Sequence, residues 1–107
     1  MTVLVGYVPT AEGEAAFAAA LDEARRRGEP LVVLNSPKSG APVSAGAAPE
    51  SAVLAMTARA EAAGVELDLR RAAHTGEVAD EVLRVAQATN ASVIVIGMRK
   101  RSPVGAL

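Results

Sequence analysis

Val3-Leu4-Val5-Gly6-Tyr7-Val8-Pro9-Thr10 is the stretch on which the fold turns. A short, unbroken apolar run stopped by proline fits a strand buried on both faces, as in a parallel sheet. Thr10 then stands where a following helix needs an N-cap. The spacing predicts that helix from about Ala11 to Arg27, with Phe17, Ala18, Leu21 and Ala24 as its apolar face. Arg25-Arg26-Arg27 set positive charge against the negative end of the helix dipole. Gly28 supplies a residue that can turn left-handed and end the helix.

The same strand-then-helix unit recurs along the chain. Leu31-Val32-Val33-Leu34 is a second buried strand, and Pro37 to Gly46 is a small, turn-rich surface loop without periodicity. Pro49 and Glu50 suit the first turn of a second helix facing inward through Val53, Met56, Ala60 and Ala63, with Gly64 at its end. From Val65 to Ala73 apolar and charged residues alternate, which predicts an edge strand with one wet face. Thr75-Gly76-Glu77 opens a third helix, with Val78, Val82, Val85 and Ala86 turned inward, ending near Asn90. Ser92-Val93-Ile94-Val95-Ile96-Gly97 reads as another buried run. This βαβαβαβ alternation with short connections predicts a three-layer, doubly wound parallel sheet. Ligands of such sheets bind at the carboxyl ends of the strands, where the winding reverses. The expected ligand wall is Tyr7 to Thr10, Asn35 with Ser36, and Gly97 to Gly105.

Composition narrows the function classes. The 107 residues suffice for one domain and one core. Half of them are hydrophobic, yet Tyr7 and Phe17 are the only aromatics, so the core rests on Val, Leu, Ile and abundant Ala. With 11 basic and 12 acidic residues the net charge is −1. No strong field draws in nucleic acid, and no aromatic platform stacks bases. The absence of cysteine excludes disulfides, thiol catalysis and a thiolate zinc site. No run approaches the roughly 20 apolar residues that span a bilayer, and the N-terminus lacks a basic leader. A cytoplasmic domain, with neither nucleic acid nor membrane as partner, is expected.

The segment Gly97-Met98-Arg99-Lys100-Arg101-Ser102-Pro103-Val104-Gly105 resembles the Gly-rich phosphate loop that follows the fourth strand in the universal stress protein family. The opening strand Val3 to Tyr7, the Leu31 to Asn35 strand, and Thr75-Gly76-Glu77 leading into Ser92 to Gly97 follow that family's order and spacing. The resemblance implies an adenine-nucleotide-hydrolase-like sheet of order 3-2-1-4, with the family's last helix and fifth strand absent from residues 1–107. It also implies a stress-response module that binds ATP or AMP, with a homodimer as the usual assembly and no metal firmly implied. The residues so implicated are Tyr7, Val8, Ser36, Gly97, Arg99, Lys100 and Gly105.

Two of these depart from the family pattern. Val8 stands where nucleotide binders carry an aspartate, and valine accepts no hydrogen bond from a ribose. Lys100 stands where the loop has a glycine suited to close phosphate approach. These departures favour an alternative, a dimerising interaction or regulatory protein that has lost the nucleotide. In the implied strand order Val93 to Ile96 would form a flat apolar edge. The expectation is that the natural chain continues past Leu107 or that a partner covers this edge.

Catalysis is disfavoured, with weak ATP hydrolysis left open. No P-loop, dinucleotide fingerprint or nucleophile elbow occurs. Asp22, Asp68 and Asp80 are the only aspartates, and none is expected at the carboxyl end of a strand. His74, the single histidine, reads as a surface or capping residue. Glu12, Glu14, Asp22 and Glu23 read as a solvated helix start and face.

Overall fold

The computed structural model describes residues 1–8, 10–35, 50–71 and 78–97. Their elements run β1 (Thr2–Tyr7), α1 (Ala11–Arg27), β2 (Leu31–Asn35), α2 (Glu50–Ala63), β3 (Leu67–Arg71), α3 (Val78–Ala88) and β4 (Ala91–Ile96). All strand pairs are parallel, in the order β3-β2-β1-β4 that the resemblance implies.

The sheet separates two apolar layers. On one face Val3, Val5 and Tyr7 of β1 and Leu31 and Val33 of β2 pack with Ala16, Phe17, Ala20, Leu21 and Ala24 of α1 and Met56 and Ala60 of α2. On the other, Leu4, Val32 and Leu34 meet Val82 of α3, with Val85 and Ala86 beside it. The two central strands are thus buried on both sides, as their unbroken hydrophobicity requires.

The inward row of α1 differs from expectation. Ala18 is exposed, and Gly13, Ala16 and Ala20 are buried in line with Phe17, Leu21 and Ala24. Those six recur at three and four residues, the true helical stripe. An alanine-rich helix offers little polarity contrast from which to fix the stripe's phase. Thr10 caps α1 as expected, its hydroxyl accepting from the Gly13 N–H at 3.1 Å. Gly28 and Gly64 end α1 and α2 in left-handed backbone, and Asn90 does so after α3.

The strand ends bring two further revisions. β3 begins at Leu67 rather than Val65, which instead lies buried after Gly64. β3 does lie at the edge with its charged face wet. β4 is not a buried run: its residues alternate between half-buried and exposed, with Ile94 and Ile96 at 40% and 56% exposure. Val93 and Val95 pack on the α1 side, whereas Ile94 and Ile96 face the side of α3. At an edge, a fully apolar strand has only one covered face. The loop 37–46, the opening of the third helix at Thr75 to Glu77, His74 and the side chain of Val78 lie outside the described residues.

Candidate functional site

Neighbours in the register place Arg71, Asn35, Tyr7 and Gly97 in one row across the carboxyl ends of β3, β2, β1 and β4. Tyr7 pairs with Asn35, Asn35 with Arg71, and Gly6 with Ile96 immediately before Gly97. The winding reverses between β1 and β4, so the ligand crevice of this topology opens above Tyr7, Val8 and Gly97.

Two glycines set the shape of that rim. The first turn of α1 presses on the end of β1 so closely that a Cβ on Gly13 would lie 1.8 Å from the Val8 carbonyl oxygen. A Cβ on Gly97 would lie 2.3 Å from the Glu12 carbonyl oxygen. Helix and strand ends meet there backbone to backbone, an approach only glycine permits. Between them the chain turns sharply, the Thr10 N–H donating to the Val8 carbonyl at 2.8 Å. The result is a tightly packed backbone ledge at the switch point.

Tyr7 does not present its ring to this ledge. The side chain is buried under α1, and its hydroxyl donates to Glu14. Arg59 of α2 approaches the same carboxylate at 3.9 Å, with its guanidinium 4.9 Å from the centre of the Phe17 ring. Glu14 lies on the exposed face of the α1 start, as expected, and from there also joins β1 to both helices of one layer. A buried tyrosine needs a partner for its hydroxyl, and Glu14 lies seven residues away, on the helix that covers β1. Burial, then the hydrogen bond to Glu14 and its negative charge, push the Tyr7 phenol from 10.0 up to about 12.

That shift has a definite sign. The folded state holds the phenolic proton more tightly than the unfolded chain, so the associated stability is fully present below pH 10 and is lost as pH rises towards 12. The loss is on the order of 2–3 kcal/mol. Urea midpoints should fall steeply through this window in the wild type and less in Tyr7→Phe. Equal slopes for the two proteins would contradict the assignment.

At the rim Tyr7 offers its carbonyl, which accepts from the Asn35 side-chain amide at 3.0 Å. Asn35 is 2% exposed, and its Oδ1 accepts from Arg71 Nη1 at 3.4 Å. The ends of three strands are tied together in this way. Val8 is half-buried beside them. Of the sequence-implicated residues, Tyr7, Val8 and Gly97 are brought together; Ser36, Arg99, Lys100 and Gly105 lie outside the described residues. Arg71 was not among the expected site residues, because edge strands ordinarily carry exposed arginines.

Among the described residues no group of three or more histidine or carboxylate side chains stands close enough to hold a metal ion. Nor is any described helix long and apolar enough to cross a membrane. Two shallow clefts, of about 240 and 290 Å³, lie at the opposite end of the sheet, around Gly28 with Gly64 and around Pro30 with Asp68.

Comparison with known proteins agrees with this architecture. A universal stress protein from Mycolicibacterium smegmatis is 32% identical over 105 residues, spanning 98% of this chain and 80% of that protein. The structure of a universal stress protein from Archaeoglobus fulgidus superposes with a TM-score of 0.74 at 25% identity, over 97% of this chain and 80% of the other. A universal stress protein in complex with cAMP shares the fold, with a TM-score of 0.65 at 22% identity over 89% of this chain and 74% of that one. The sequence also matches the Universal stress protein family across residues 1–107. With fold and sequence in agreement, the chain belongs to the universal stress protein family.

Proposed function

We propose that this chain binds an adenine nucleotide, ATP or AMP, above the carboxyl ends of β1 and β4 and serves as a cytoplasmic nucleotide sensor in a stress response. The observation that carries the reading is the glycine ledge. Gly97 lets the end of β4, and Gly13 the end of β1, lie against the first turn of α1, at the point where the winding reverses. Ligands of doubly wound sheets bind outside the carboxyl ends of the strands at such a switch point. The relative solved with cAMP lends support, since the two chains share a fold.

In this reading the base and ribose lie over Val8 and Ser36. The phosphates lie over the loop that starts at Gly97, with Arg99 and Lys100 as the cations and Gly105 further along. Arg and Lys both bind phosphate, Arg through a planar fork and Lys as a point charge. The sequence carries no P-loop and no nucleophile elbow, so the chain is read as a binder rather than an enzyme. Val8 favours a second reading, a dimerising interaction module without a nucleotide, because the ledge lacks a carboxylate for the ribose.

Calorimetric titration with AMP, ATP and cAMP, with and without magnesium, separates the two. The first reading expects a micromolar constant, about −8 kcal/mol, weakened in the double variant Arg99→Gln, Lys100→Gln. A folded protein that takes up none of the three would establish the second.

A further inference from the structure

Seven arginines fall among the described residues, and six of them are matched by carboxylates. Arg25, Arg26 and Arg27 pair with Asp22 and Glu23, Arg59 with Glu14, Arg70 with Asp68 and Arg84 with Glu81. Arg71 is the exception: among the described residues no carboxylate pairs with it, and its recorded partner is the Asn35 amide oxygen. The contrast with Arg70 is informative. The two are adjacent on the same edge strand, yet Arg70 is neutralised within β3 by Asp68 at 3.0 Å, whereas Arg71 reaches across to β2.

The position of Arg71 gives this charge a direction. Asn35 is 2% exposed and anchored by its amide to the Tyr7 carbonyl, so its Oδ1 is a fixed acceptor. By meeting that acceptor, the Arg71 guanidinium lies beside the end of β2, on the rim where the ligand is expected. A guanidinium carries five N–H donors in a planar fork, more than this one contact uses, and such a fork suits a bidentate oxyanion. From β2 to β4 is two strand spacings, about 10 Å. The end of β1, where the ribose is placed, lies midway between the Arg71 guanidinium and Gly97.

We propose that Arg71, oriented by Asn35, forms a second phosphate subsite on the β2–β3 side of the crevice, so that the site prefers a nucleotide bearing a second phosphoryl group on its ribose. This rests on the nucleotide-binding reading above. Loop cations then hold the 5′-phosphate, and Arg71 takes the phosphate on the 3′ side.

The probes are AMP and adenosine 3′,5′-bisphosphate, titrated into the wild-type chain, Arg71→Gln and Arg71→Lys, with thermal melts to verify folding. The wild type should bind the bisphosphate at least fivefold more tightly than AMP. Arg71→Gln should abolish that preference while changing AMP affinity less than twofold, and Arg71→Lys should retain part of it. Equal affinity of the wild type for both probes, or a preference that survives Arg71→Gln, overturns the subsite and leaves the nucleotide-binding reading standing. Failure of the wild type to bind either probe overturns both.

Discussion

Gly13→Ala is expected to destabilise the fold by about 3 kcal/mol, although in an exposed helix interior the same change gains roughly 1 kcal/mol. The reversal follows from the Val8 carbonyl oxygen, which would stand 1.8 Å from the new methyl group, with the carbonyl carbon at 2.9 Å. Both are backbone atoms, so no side-chain rotation relieves the contact. The first turn of α1 would have to withdraw from β1 and open the turn closed by the Thr10 hydrogen bond. Forcing extra volume into a packed site costs about 1–3 kcal/mol, and a rigid backbone neighbour puts this case at the upper end. For a domain of this size that corresponds to a fall in Tm of roughly 12–24 °C. Gly97→Ala should act in the same direction, through the Glu12 carbonyl oxygen at 2.3 Å. Gly6→Ala is the control, since nothing lies within 4 Å of its added carbon. A Gly13→Ala protein as stable as the Gly6→Ala protein would mean that the ledge is not packed as described.

Val8→Asp has the second large effect, on binding rather than folding. Val8 lies at the carboxyl end of β1 beside the switch point, half-buried, where the family resemblance implies an aspartate in nucleotide binders. A hydrogen bond to a charged group contributes about 1.5–3 kcal/mol, so the substitution should tighten adenine-nucleotide binding roughly 10- to 100-fold. The new carboxylate also stands just before the α1 N-terminus, where the helix dipole favours it, so folding should survive. Unchanged affinity for AMP in a folded Val8→Asp protein would show that the ribose does not rest on this residue.

The central strands, the α1 cap and the edge character of β3 were legible in the sequence because each has a local cause. Val3 to Tyr7 and Leu31 to Leu34 are unbroken apolar runs, Thr10 precedes a helical period, and Leu67 and Leu69 alternate with Asp68 and Arg70. The edge position of β4 was not legible in its own run, because Val93 to Ile96 reads the same with one neighbouring strand or two. Only the strand order implied by the family resemblance exposed that conflict. The phase of α1 was blurred by its alanines. At the candidate site, Val8 and Gly97 could be named from their places after strands. The tie from Tyr7 through Asn35 to Arg71 depends on three strands coming into register, which no local pattern encodes. Gly13 looked like an ordinary helix residue, since its constraint comes from a carbonyl five residues earlier, brought against it by the turn.

The most direct test of the account is an NMR titration of the chain with AMP, followed amide by amide. Saturable shifts at a micromolar constant, concentrated at Val8, Asn35, Gly97 and the loop that follows, are the predicted result. No shifts at millimolar AMP, or shifts confined to the cleft around Gly28 and Gly64 at the other end of the sheet, would contradict it.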